Sequence, residues 1–218
     1  MGKLTERFSR LLLGLFLYAL GIVLTMKANI GFAPWEVFHA GLGKTIGMTI
    51  GNVSIATGLL IVLLVFFLGE KLGLGTLLNM ILIGVFIDAL LGLEFIPAMT
   101  HWLPAFLLLL AGLFVIALAS YFYIGSGFGA GPRDSLMVAL TRKTGLAVGI
   151  CRGSIELAVV FTGWFLGGMV GVGTVISAFA IGFCVQITFR LLRFDATQVH
   201  HETLDQTLKQ LTRRKCLE

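Results

Sequence analysis

The chain has 218 residues, of which 57% are hydrophobic and only 12% charged, with a formal net charge of +5. A mean hydropathy of +0.98 excludes a water-soluble globule of this size, whose surface must be polar, so the solvent is a bilayer. The positive charge gathers near the two ends, which in a membrane chain is an orientation signal and not a nucleic-acid footprint.

In chain order, residues 1–9 read as a cytoplasmic N-terminus, and hydropathy predicts a first span at about 10–28. Lys3, Arg7 and Arg10 before an apolar run imitate a signal peptide, but no small-x-small cleavage site follows. Next comes NIGFAPWEVFHAGLGKTIGM (29–48), which mixes Pro34, Trp35, Glu36 and His39 with glycines. Further spans are predicted at about 50–69 and 73–92, an extracytoplasmic connection at 93–102, and a span at 103–124. SGFGAGPRDS (126–135) then precedes spans at about 149–167 and 171–192 and a basic cytoplasmic tail, 194–218. Backbone groups in lipid must be satisfied internally, so the fold class expected is all-α and polytopic, with six transmembrane helices.

Shifted by 98 positions, the chain matches itself without a gap from about Gly14 to Ala89. Gly31 falls on Gly129, Pro34 on Pro132, Glu36 on Asp134, Gly47 on Gly145 and Gly51 on Gly149; LGEKLGLGT (68–76) falls on LGGMVGVGT (166–174). Glycine, proline and acid in register across a loop are far more telling than matched leucines. Three spans per copy is an odd number, so residues 10–92 and 103–193 are expected as inverted repeats. With the N-terminus inside, almost every Lys and Arg outside the spans lies inside, and only Lys27 and Lys44 are left outside. The rival reading, four spans per copy with 31–49 crossing fully, needs a span interrupted by Gly, Pro, Glu, His and Lys.

GFAPWEVFHAGLGKTIGMTIGNVSI, GAGPRDSLMVALTRKTGLAVGICRGSIELAVVFTGWFLGG and GVGTVISAFAIGFCVQ together resemble the bacterial YczE/YyaS/YitT integral membrane proteins, closest to the YczE-like branch, over roughly residues 10–193. The resemblance implies a multi-pass protein of the bacterial inner membrane and supplies little mechanism. YitT-type members carry a soluble C-terminal domain, so nothing tied to that domain is carried over to this short tail.

In each copy a proline at the first helical turn (Pro34, Pro132) opens a short helix, and an acid two residues later (Glu36, Asp134) meets the positive end of its dipole. Two such helices entering from opposite faces would meet at a midplane cavity, a recurring plan for secondary transporters. The plainer reading makes both segments surface connectors with Trp35 as an interfacial anchor. Asp88, Arg152 and Glu156 lie inside spans, where charge is costly unless it faces the bundle or water. Arg152 and Glu156 are four apart and share a helix face; they form a self-neutralised pair, or grip an anion and carry a proton. Asp88 has Gln186 as its repeat mate, which suggests polar partners about the pseudo-axis, or a carboxylate that snorkels to the nearby span end.

Gly47, Gly51, Gly145, Gly149 and Gly153 are expected to be helix-packing positions at the starts of spans two and five, with Gly163 and Gly167 a second ridge. A homodimer through such a ridge is a further option. Cys151, Cys184 and Cys216 lack metal spacing, and His101, His200 and His201 read as peripheral. In the tail Leu204, Leu208 and Leu211, followed by Arg213, Arg214 and Lys215, suggest an amphipathic helix on anionic lipid. No enzyme motif, metal site or cofactor motif is present in the sequence. The expected function is a small secondary transporter or exporter of an unidentified small molecule. Its candidate substrate-binding residues are Pro34, Trp35, Glu36, His39, Pro132, Arg133, Asp134, Arg152 and Glu156. The alternative is a non-transporting scaffold or regulatory protein acting through a partner.

Overall fold

A computed structural model describes residues 2–206. The principal elements are α1 (Gly2–Lys27), α2 (Pro34–Ile46), α3 (Ile50–Phe67), α4 (Leu74–Gly92), α5 (Trp102–Gly125), α6 (Pro132–Thr144), α7 (Val148–Phe165) and α8 (Val172–Leu191). Among the described residues there is no strand. Six of these helices, all but α2 and α6, are long and apolar enough to cross a bilayer. At 13 residues each, α2 and α6 extend only about 20 Å and cannot span it. Large side chains such as Leu60, Phe67, Leu157 and Phe179 project outward, as lipid-facing surfaces require. The amphipathic tail helix read at 204–215 falls mostly on residues 207–218, outside the described residues.

Helices α1 and α5 form the centre, running antiparallel with glycines at the crossing. A Cβ on Gly14 would sit 2.8 Å from the Tyr123 nitrogen, and one on Gly112 would sit 2.9 Å from the Thr25 nitrogen. Gly14 and Gly112 are 98 apart, as are Thr25 and Tyr123, so the contact is reciprocal. Two more pairs repeat the shift: the Gly173 N–H donates to the Ile30 carbonyl at 2.7 Å and the Gly75 N–H to the Phe128 carbonyl at 2.8 Å. Left-handed backbone recurs likewise at Asn29 and Gly127 (φ 58° and 74°), Gly31 and Gly129 (117° and 113°), Gly47 and Gly145 (both 71°) and Gly69 and Gly167 (83° and 85°).

Both short helices start on proline and stop at a left-handed glycine. Gly47 closes α2 by donating to the Gly43 carbonyl, and Met48 N–H reaches the same oxygen at 3.0 Å, a cap that ends a helix firmly. Pro34, Glu36, Val37, His39 and Ala40 of α2 are buried, so its first turns lie within protein and do not form a surface connector.

The structure corrects several expected roles. Gly47 and Gly145 serve as turns and, like Gly149 and Gly153, have open space where a Cβ would stand. Of the five packing glycines expected, Gly51 alone is in close contact, against Gly84 and Asp88 of α4. Gly163 packs on Phe38 of α2, while Gly167 is a left-handed turn with open space beside it. Asp88 does not turn to Gln186. It accepts from Thr49 Oγ1 at 2.5 Å and from the Gly51 N–H at 2.8 Å, because the start of α3 offers it unpaired donors.

Candidate functional site

A cavity of about 160 Å³ lies between α6, α7 and the central helices. Helix α6 brings Pro132, Arg133 and Asp134 to it, α7 brings Arg152 and Glu156, and α2 brings Trp35 and His39. These are seven of the nine residues expected from sequence. Pro34 and Glu36 do not line it: Pro34 fixes the first turn of α2, and Glu36 is buried behind Arg133.

Repeat mates meet here. The Arg133 guanidinium lies over the Trp35 ring, 4.6 Å from its centroid, and these residues are 98 apart. The same guanidinium reaches Glu36 Oε1 at 3.5 Å. Arg152 Nε donates to Glu156 Oε1 at 2.9 Å along one face of α7, as the four-residue spacing predicts. Asp134 is exposed at the cavity and has no ion pair within contact distance among the described residues. Surrounding protein nevertheless raises its carboxyl above the ordinary range, against the opposing pull of Arg152 and Arg133. Burial likewise raises Glu36, with Arg133 opposing, and holds His39 well below the usual imidazole value, so His39 is neutral at physiological pH.

Sequence reasoning missed much of the wall. Tyr18 of α1, Tyr123 of α5, Ser54 of α3 and Asn79 of α4 all line the cavity. Asn79 carried a usable signal, since it is a lone amide in LLNMILIG and such a group in an apolar span needs a polar surrounding. The tyrosines carried none, because aromatic residues in apolar runs are ordinary. Tyr123 Oη and His39 Nδ1 are buried without a protein partner.

A family described as "Family of unknown function (DUF6198)" matches residues 5–190. The chain belongs to this family. It is similar to the "Uncharacterized membrane protein YczE" of Bacillus subtilis (strain 168), 37% identical over 189 residues, with 85% of this chain and 86% of that protein covered. An "Uncharacterized protein" of Haemophilus influenzae is 32% identical over 187 residues, covering 86% and 85%. The "Uncharacterized protein YyaS" of B. subtilis is 24% identical over 181 residues, covering 80% and 88%. No solved structure matches. The likeness to YczE and YyaS expected from the three stretches quoted above therefore holds, and this family member is a multi-pass membrane protein.

Proposed function

We propose that this protein is a small secondary transporter that works by alternating access between two inverted three-helix halves, residues 10–92 and 103–193. The observation that carries this reading is the cavity, which both Pro-initiated helices reach and where the ionisable groups of α6 and α7 converge. Charge inside a bilayer protein is costly, and a wet transport path is the usual reason to keep it. Short helices that meet between repeats are a recurring architecture for such paths. The reciprocal contacts at positions 98 apart support the inverted arrangement.

On this reading Trp35, His39, Pro132, Arg133, Asp134, Arg152 and Glu156 face the substrate, Glu36 holds Arg133, and Pro34 sets the start of α2. The Lys and Arg distribution supports an orientation with both termini in the cytoplasm, and the bacterial relatives support a place in the inner membrane. Comparative metabolite profiling, inside and outside cells with and without the protein, tests it. One compound class should change its distribution, and Arg152→Ala and Glu156→Gln should each abolish that change while the protein still inserts. No redistribution, or full redistribution in both variants, defeats the proposal.

A further inference from the structure

The geometry points to a small organic ammonium ion as the substrate class, held by the Asp134 carboxylate against the aromatic wall of the cavity. This deepens the transporter reading and rests on it for the word substrate; the binding site itself is tested separately below.

The argument begins with how the charges are partnered. Arg152 is engaged with Glu156, and Arg133 is sandwiched between the Trp35 ring and Glu36. Each guanidinium therefore has its own carboxylate. Asp134 is the acid left over, open to the cavity and without an ion pair among the described residues. It also occupies the third position of α6, where a foreign anion would otherwise find the helix dipole. An anionic ligand would have to compete with a carboxylate already in place, whereas a cation would complete the set.

The wall suits such a cation. Tyr18 and Tyr123 line the cavity, and aromatic rings attract ammonium groups through their quadrupoles. Tyr123 Oη is buried behind this wall without a protein partner. A volume of about 160 Å³ resembles the roughly 150 Å³ cavity known to hold benzene, so the ligand is of single-ring size.

The same carboxylate binds either a proton or the cation. Asp134 is faced by Arg133 on its own helix, Arg152 and Glu156 from α7, Tyr18 and Tyr123 from α1 and α5, and His39 from α2, with Glu36 behind Arg133. Of the cavity residues, those from α3 and α4 bring no titratable group. Acidification protonates Asp134 and removes the charge that the ammonium needs, so affinity falls as pH falls.

Equilibrium dialysis of purified protein with radiolabelled benzylamine, challenged by benzoate or benzyl alcohol of matched size, is the test. Benzylammonium should bind, the other two should compete about tenfold less well or worse, and Asp134→Asn should weaken binding about tenfold or more while Asp134→Glu retains it. Wild-type affinity should drop as the buffer is acidified far enough to protonate carboxyl groups. Absent benzylammonium binding, competition by benzoate at equal strength, unchanged binding in folded Asp134→Asn, or a flat pH series would each overturn the inference. Should Asp134→Asn fail to fold, the wild-type pH series decides. Flux into proteoliposomes separates the two claims: amine binding without amine flux removes the transporter reading and leaves the site. Flux of benzoate removes the ammonium site and leaves the transporter.

Discussion

Helices α3 and α4 touch through glycine, whereas α7 and α8, built on matching glycines, do not. A Cβ on Gly84 would stand 2.6 Å from the Gly51 carbonyl oxygen, and one on Gly51 would collide with the Gly84 carbonyl. Their mates 98 positions on, Gly149 and Gly182, have open space on the corresponding sides. The residues one and two turns further along explain the difference. Helix α3 presents Ser54 and Gly58, and Gly58 lets Met80 of α4 approach so closely that an added Cβ would be 2.8 Å from its Cγ. At the mates of Ser54 and Gly58, α7 carries Arg152 and Glu156, paired and turned to the cavity. Duplicated glycines preserve the capacity for close packing, and the bulk and charge beside them decide where it is used.

The largest expected effect tests that contrast directly. Gly51→Leu forces side-chain atoms into the α4 backbone and should cost about 3 kcal/mol or more, seen as a loss of thermal stability in detergent or of folded yield. Gly149→Leu meets open space and should stay within about 0.5 kcal/mol. Equal losses would mean that α7 and α8 are packed after all. Under alternating access the bare pair has a use, since it would become the close contact of the opposite state. Gly149→Leu should then fold normally and still lose transport.

Next in size is the cap on α3. Asp88 accepts from the exposed Thr49 hydroxyl and from the partly buried Gly51 N–H, so Asp88→Ala leaves the latter unpaired and should cost about 1–3 kcal/mol. Gln186 is exposed on α8, and Gln186→Ala should fall within about 0.5 kcal/mol. Thermal melts of the two purified variants give the comparison, and a neutral Asp88→Ala would show that the cap is not what fixes α3 on α4.

Much of this is legible in the amino-acid sequence alone. Hydropathy located the six long helices because lipid imposes one solution on the backbone, and the register of Gly, Pro and acid singled out both short helices. It also located most of the charged wall, since Arg133 and Asp134 follow Pro132, and Arg152 with Glu156 interrupt an apolar run. Which glycines pack was not legible. A glycine tolerates a turn, a close contact or empty space equally well, and Gly47, Gly51 and Gly149 adopt one each. Asp88 was misread for a related reason: its partners are backbone and hydroxyl donors at the start of α3, and they leave no pattern of opposite charge in the sequence.

The smallest effect lies at the ends of the short helices, where matched cations tie one half to the other. Arg142 of α6 donates to the Leu68 carbonyl at 2.9 Å and pairs with Glu70 at 3.1 Å. Its repeat mate, Lys44 of α2, donates to the Gly167 carbonyl at 2.9 Å. Both bind a carbonyl just past the C-terminal end of a neighbouring helix, where a cation meets the negative end of the dipole. Arg142 adds a carboxylate partner, because Glu70 has Gly168 at the matching position. Exposed pairs contribute little, so Arg142→Ala should cost at most about 1 kcal/mol and Lys44→Ala less. The two share no partner, and the double variant should therefore equal the sum of the singles within about 0.5 kcal/mol. A larger coupling, read from melts of the three variants, would mean that the two ends communicate through the central α1–α5 crossing, as rigid-body rocking of one half on the other requires.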